Sequence, residues 1–450
     1  MLSIILCVIA AVLCFVAGRR SLATGIGATL AIGYVYGIVR ANLTQTGSHF
    51  LFDAAVLGLF AARLTPSRTG DAQRVPRQLF WWIALLIAWP FLLMAIPQQD
   101  PLVQLVGFRG NAFLLPFVLL GSQLTDEGKY SLALWCAALN VVAFVFAAAE
   151  FQLGVAAFFP RNSVTAIIYM SNDVGAQQNY RIPATFGNAH AYGGTMVMTL
   201  PLILGAWLKP AKRTSVGILL AAAILAASVG VFMSAARSHA LLLFAFIAFA
   251  TIASRMTLLA RAGWYTLLAT IAILVASDAR LQRFMTLSDA GQISERVGWS
   301  VNSGFIERAV RDPLGNGLAS GGTSIPFFLM DRVPNRDTME NEYGRIMIEQ
   351  GVPGLLLWLS FIGWTLTRRV NQPDRGWRNA RTLAWCVTFV SFASALIGTG
   401  LLTSVPQTAI FLLMVGWIAN ARRSTAIAEA PLATSSFSPR LVVGPAVARP

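Results

Sequence analysis

The chain has 450 residues, of which 56% are hydrophobic and 12% charged, with a mean hydropathy of +0.64. That is far more apolar than a water-soluble domain, which excludes an ordinary soluble enzyme or binding module. The formal charge of +15 would suggest nucleic acid in a soluble protein, but here Lys and Arg cluster in short connections between apolar runs, where they set topology, so no nucleic-acid partner is expected.

The first apolar run, Leu2 to Ala17, is followed rather than preceded by Arg19 and Arg20. This reverses the order of a secretory signal and reads as a retained span with its N-terminus outside. Further spans are expected at 21–39, 49–62, 78–96, 112–124, 131–149, 190–208, 215–233, 239–253, 262–276, 343–366, 382–400 and 404–420. Several fall short of the ~20 residues that a vertical helix needs, so about 12–13 transmembrane helices are expected. With Arg19 and Arg20 inside, the basic stretches Arg63 to Arg77, Lys129, Lys209 to Arg213, Arg255 to Arg261, Arg368 to Arg381 and Arg422–Arg423 also fall inside, as the positive-inside rule requires.

The chain then divides into N-terminal helices (1–276) with an outer loop (150–189), a large outer loop containing short helices (277–342), C-terminal helices (343–420), and a tail (421–450). The tail is rich in Ala, Pro, Ser and Thr and is expected to be disordered in the cytoplasm. The outer segments carry Arg40, Arg109, Arg161, Arg181, Arg237, Arg296, Arg308 and Arg311 among their arginines, and no lysine. Planar, bidentate contact with phosphate favours Arg over Lys. Cys7, Cys14, Cys136 and Cys386 lie inside apolar runs without CxxC spacing, so no disulfide framework and no metal site is expected.

Ser215 to Ala253 is almost unbroken apolar sequence whose single basic residue is Arg237. As one helix it would be about 58 Å long, nearly twice the ~30 Å hydrocarbon core. Two spans are therefore expected, broken at Ser234 to His239, with Arg237 at the outer surface; a partly sunken Arg there implies an anionic partner or a water-filled cavity. In the long interval Asp278 to Glu340, Ser294 can cap a helix whose apolar positions are Val297, Val301, Phe305, Ala309 and Val310, ending at Pro313. Its other side carries Arg296, Arg308 and Arg311 and faces anions.

Four segments in order carry a family likeness: RIPATFGNAHAYGG (Arg181 to Gly194), MSAARSHALLL (Met233 to Leu243), ERVGWSVNSGFIERAVRDPLGNG (Glu295 to Gly317) and ENEYGRIMIEQGVPG (Glu340 to Gly354). Over these segments the chain resembles the O-antigen polymerase and ligase superfamily of Wzy-like and WaaL-like membrane glycosyltransferases. The resemblance implies an all-α, GT-C-like fold in the bacterial inner membrane with an active site facing the periplasm and no cofactor. The implied donor is an undecaprenyl-pyrophosphate-linked oligosaccharide, and the acceptor a lipid-linked glycan. Membrane lipids, a chain-length regulator and a flippase are the implied partners. Where ligases of the family carry the His proposed as catalytic, this chain has Glu340, while Asn341, Tyr343, Glu349, Gly351 and Gly354 match. That favours a polymerase of repeat units over a ligase; a flippase or secondary transporter is the alternative of another class.

The expected chemistry needs dispersed positive charge on a departing lipid pyrophosphate, and no DxD pair occurs in the outer segments. Arg181, Arg237 and Arg296, with Arg311 in reserve, are the candidates to stabilise it. Glu340 is the candidate base for the acceptor hydroxyl, or alternatively the cap or first-turn anion of the helix beginning near Asn341. Asn188 binds acceptor or caps the helix after it. His190 and His239, where spans begin, bind substrate or are structural, and Asn341 and Tyr343 are candidate substrate contacts, Tyr343 otherwise belonging to the interfacial aromatic belt.

Overall fold

The computed structural model describes residues 1–65, 74–96, 98–171, 180–209, 213–253, isolated positions between 262 and 298, 304–322, 325–333, 341–368 and 375–420. Among these residues there is no extended strand. The helices are α1 (Leu2–Arg20), α2 (Leu22–Asn42), α3 (Leu51–Leu64), α4 (Arg77–Leu93), α5 (Pro101–Ala112), α6 (Pro116–Gln123), α7 (Asp126–Leu153), α8 (Ala166–Met170) and α9 (Ala189–Trp207). They continue with α10 (Thr214–Met233), α11 (Arg237–Ala253), α12 (Phe305–Arg311), α13 (Glu342–Leu366), α14 (Arg375–Ser394) and α15 (Gln407–Ala419). Among the described residues, seven stretches are long and apolar enough to cross a membrane: α1, α2, α3 with the 3-10 turn before it, α5 with α6, α7, α10 and α13. Helices α4, α11 and α15 are apolar but shorter. The chain is an all-α, multi-pass membrane protein.

Its layers follow from residue size and polarity. On α1 a stripe of Ile4, Ile5, Val8, Ile9, Val12, Leu13 and Val16 is exposed, while the small residues Ala10, Cys14 and Gly18 are buried and α1 packs on α3. Small side chains let helix backbones approach closely where lipid gives no hydrophobic drive. Helix α9 is the opposite case. Thr195 to Leu200 are all 0% exposed, and the helix packs on α7, α10, α11, α14 and α15. A hydrogen-bond chain ties it to its neighbours: Tyr34 Oη donates to Asn140 Oδ1 (2.6 Å), and Asn140 Nδ2 donates to Thr199 Oγ1 (2.8 Å), linking α2, α7 and α9.

Successive helices bring Arg19, Arg368, Lys129 and Lys209 to one end of the bundle. Arg19 donates to Thr65 (2.6 Å), Arg368 donates to Gln78 (2.5 Å), and the Lys129 and Lys209 ammonium groups both lie 5.3 Å from the Trp377 ring centre. The opposite end is formed by the C-terminus of α2, the N-termini of α3, α9 and α11, and the stretch 394–407.

Three expected boundaries shift. The span placed at 112–124 begins instead at Pro101, because Asp100 caps α5 by accepting from Leu102 N (2.8 Å) and Pro101 suits the first helical position. The span placed at 382–400 begins at Arg375 and ends at Ser394. Arg381 is therefore not a loop residue: it is 3% exposed within α14 and donates to the Ile418 carbonyl (2.6 Å), capping the negative end of α15. A helix running unbroken from Ser294 to Pro313 is also corrected, since Gly304 stands before α12 with φ +73°, a left-handed conformation that interrupts it. The tail 421–450 lies outside the described residues, as do about half of the span placed at 262–276 and half of the 277–342 loop.

Candidate functional site

A cavity of ≈ 1630 Å³ opens at the end of the bundle opposite the basic connections. Its charged wall is assembled from five places in the chain. Helix α2 contributes Arg40 in its last turn, with the guanidinium 5.3 Å from the centre of the Tyr36 ring. Asp53, in the first turn of α3, and Arg109, in the last turn of α5, meet there in a bidentate pair with both contacts at 2.6 Å. The loop before α9 carries Arg181, and α11 starts with Arg237. Among the described lining residues Asp53 is the one carboxylate, and it is held by Arg109.

The Arg181 loop is held by groups outside the cavity. The Ala184 amide, at φ +50°, donates to Glu150 Oε2 (2.8 Å), and Ile38 N donates to the Thr185 carbonyl (3.0 Å). Gly37 allows this approach, since a Cβ there would sit 1.9 Å from the Phe186 carbonyl carbon. At the end of the loop, Asn188 caps α9 by accepting from Ala191 N (2.8 Å), the structural half of the two readings for it. Asn188 and His190 both line the cavity.

The apolar run 215–253 is broken where its length requires, with α10 ending at Met233 and α11 beginning at Arg237. The turn is tight, Ala235 having φ +48°. It brings His239 under His190, ring edge to face with centroids 5.2 Å apart, and places His239 Nε2 3.4 Å from Gln407 Nε2. Arg40 Nε and His239 Nδ1 are buried without a hydrogen-bond partner. Such atoms are costly unless something satisfies them. Gly322, Ile325, Pro326 and Met330, from the stretch preceding α13, also line the cavity, together with Ser394, Ala395 and residues 397–405.

Five of the ten expected site residues thus share one cavity: Arg181, Arg237, Asn188, His190 and His239. Arg296 and Glu340 lie outside the described residues. Arg311 is elsewhere, with its side chain 60% exposed on α12 and paired with Asp312 (2.9 Å). Asn341 is the cap of α13, its side-chain oxygen accepting from Gly344 N, and the Tyr343 hydroxyl donates to the Phe392 carbonyl (2.7 Å). Neither lines the cavity.

The segment around those two residues instead forms a buried ionic cluster. Arg345 is 1% exposed and reaches Glu342 at 2.8 Å and Glu349 at 2.8 Å, carboxylates that are 1% and 0% exposed. Asn111 on α5 donates to Glu349 (2.6 Å) and accepts from both Arg345 and Gln350. The other oxygen of Glu342 accepts from Gly400 N (2.9 Å), a cavity-wall residue, so the cluster braces the wall from behind. Helix α13 is interrupted at Gly351 (φ +69°), where the turn before it docks: Val352 N donates to the Pro313 carbonyl and Asn316 N to the Ile348 carbonyl.

Sequence reasoning placed Arg40 and Arg109 among the outer arginines without assigning them to the site, and passed over His49 and Asp53. The signal for Arg109 was the Asp100-Pro101 start, which extends the helix across a stretch otherwise read as loop. Among the described residues no three His, Cys, Asp or Glu side chains are grouped closely enough to hold a metal ion. No protein-family model matches the chain, and no curated protein matches it.

Proposed function

We propose that the protein is a GT-C-like glycosyltransferase of the bacterial inner membrane. It polymerises undecaprenyl-pyrophosphate-linked repeat units into a surface polysaccharide or exopolysaccharide by metal-independent transfer at the periplasmic face. The observation that carries this reading is the convergence of Arg40, Arg109, Arg181 and Arg237 on one cavity with a single carboxylate among the described lining residues. Guanidiniums gathered on one wall suit a polyvalent anion, and a pyrophosphate offers several oxygens to planar, bidentate donors. As the anomeric C–O bond breaks, negative charge grows on the leaving pyrophosphate. Fixed cations aimed there stabilise the transition state more than the ground state. Each charge-assisted hydrogen bond contributes roughly 1.5–3 kcal/mol, so two or three supply several orders of magnitude in rate.

Two further features support the reading. Phe50, Ile167, Met170 and Leu241 are exposed apolar side chains among the lining residues, which suits a ligand with a lipid tail. The cavity also lies at the end of the bundle away from the basic connections, which the positive-inside rule puts outside the cytoplasm. Membrane lipids, a chain-length regulator and a flippase are the expected partners. The test uses the lipid-linked oligosaccharide that accumulates when this protein is deleted from its host. Full-length protein in liposomes, without an ion gradient or added metal, is expected to lengthen it in whole repeats. Transfer to a lipid A core acceptor without lengthening would make the protein a ligase, and movement across the bilayer at unchanged length would make it a flippase.

A further inference from the structure

The transfer proposed above also needs a group to accept the proton of the incoming hydroxyl, and the cavity narrows the choice. Guanidiniums do not give up their protons, which removes Arg40, Arg109, Arg181 and Arg237. Asp53 receives two hydrogen bonds from Arg109. Tyr36 is buried and donates to the His49 carbonyl (3.0 Å). His49 and His239 are 6% and 5% exposed. His190 alone among the described titratable lining residues is both a potential base and an exposed side chain. It is also held in place, with its ring edge to face on His239, which lies against Gln407 from α15.

We propose that His190 is the general base of the site, a role that rests on the transferase reading. In the step, the acceptor oxygen forms the new bond to the anomeric carbon as its O–H proton passes to a ring nitrogen of His190. The anomeric C–O bond to the pyrophosphate breaks, and the pyrophosphate leaves with that electron pair under the arginines. The imidazolium then returns its proton to water in the open cavity. His239 and Gln407 act as positioning residues that fix the ring.

The experiment measures elongation in liposomes with the accumulated lipid-linked oligosaccharide across pH, for the wild type and for H190Q, H190A and E340Q. General-base loss typically removes 10²–10⁴-fold, so H190Q is expected to lower kcat by at least about 100-fold with donor KM little changed, and to lose the acid-side fall in kcat. H190A is expected to regain part of its rate with added imidazole, a rescue that a purely structural role would not give. If wild-type protein does not elongate the donor, the transferase reading itself fails. If the wild type elongates but H190Q keeps kcat within about threefold, or E340Q rather than H190Q abolishes the acid-side fall, His190 is not the base.

Discussion

The cavity wall and the cluster behind it handle charge in opposite ways. In the cluster, one guanidinium lies between two carboxylates, all three at most 1% exposed, with the Asn111 and Gln350 amides of α5 and α13 bonded into it. In the cavity, arginines outnumber carboxylates among the described residues, and a volume of ≈ 1630 Å³ lies before them. Charge that is paired in the interior serves to hold helices together. On the proposed function, the guanidiniums beside the open cavity serve a ligand. The two regions touch at Gly400, so the buried cluster helps to set the geometry of the cavity wall.

The largest effect is expected from breaking the buried cluster. Arg345→Met leaves two buried carboxylates without their cation and should cost about 3–5 kcal/mol, seen as a lost monodisperse peak in detergent and a collapsed thermal midpoint. Adding Glu342→Gln and Glu349→Gln to that variant removes the uncompensated charge and should recover folding. Normal folding of Arg345→Met alone would erase the distinction between the two regions.

Truncations in the cavity should behave in the contrary way. Arg181→Ala and Arg237→Ala are expected to keep the wild-type thermal midpoint while elongation falls by roughly 10²–10³-fold. Arg237→Lys keeps the charge but loses the planar fork, and a fall of about tenfold or more is expected. Unimpaired elongation would remove Arg237 from the site.

A smaller effect is expected at Glu150, which belongs to neither region but holds the Arg181 loop through the Ala184 amide. Glu150→Ala should lower kcat by about tenfold, from a lost hydrogen bond worth roughly 1–3 kcal/mol. Glu150→Gln keeps an acceptor oxygen and should retain most of the rate; equal loss in both variants would argue against a positioning role. Smallest of all, Tyr34→Phe removes one member of the Tyr34–Asn140–Thr199 chain. It should cost only about 0.6 kcal/mol in unfolding measurements, as interhelical hydrogen bonds within membranes typically do, without changing elongation.

Much of this protein was legible residue by residue, because bilayer thickness and backbone hydrogen bonding act locally. The apolar runs marked helices, and the length of 215–253 required the break after which α11 starts at Arg237. The arginine-rich, lysine-free outer segments pointed to an anion. Partnership across long sequence distances was not legible. Asp53 meets Arg109 from 56 positions away and Asn111 meets Glu349 from 238 away, and no local period records either pairing. The stretch from Glu340 to Gly354 is the sharpest case. In one dimension, its carboxylates, Asn and Tyr look like a site. In three, described residues from Asn341 onward turn Glu342, Arg345 and Glu349 inward and use Asn341 and Tyr343 to anchor helices. A charged side chain is drawn as one letter whether it is neutralised by a neighbour or left facing a cavity. Only the packing of α5, α13 and the wall around Gly400 decided which of this chain's charges are which.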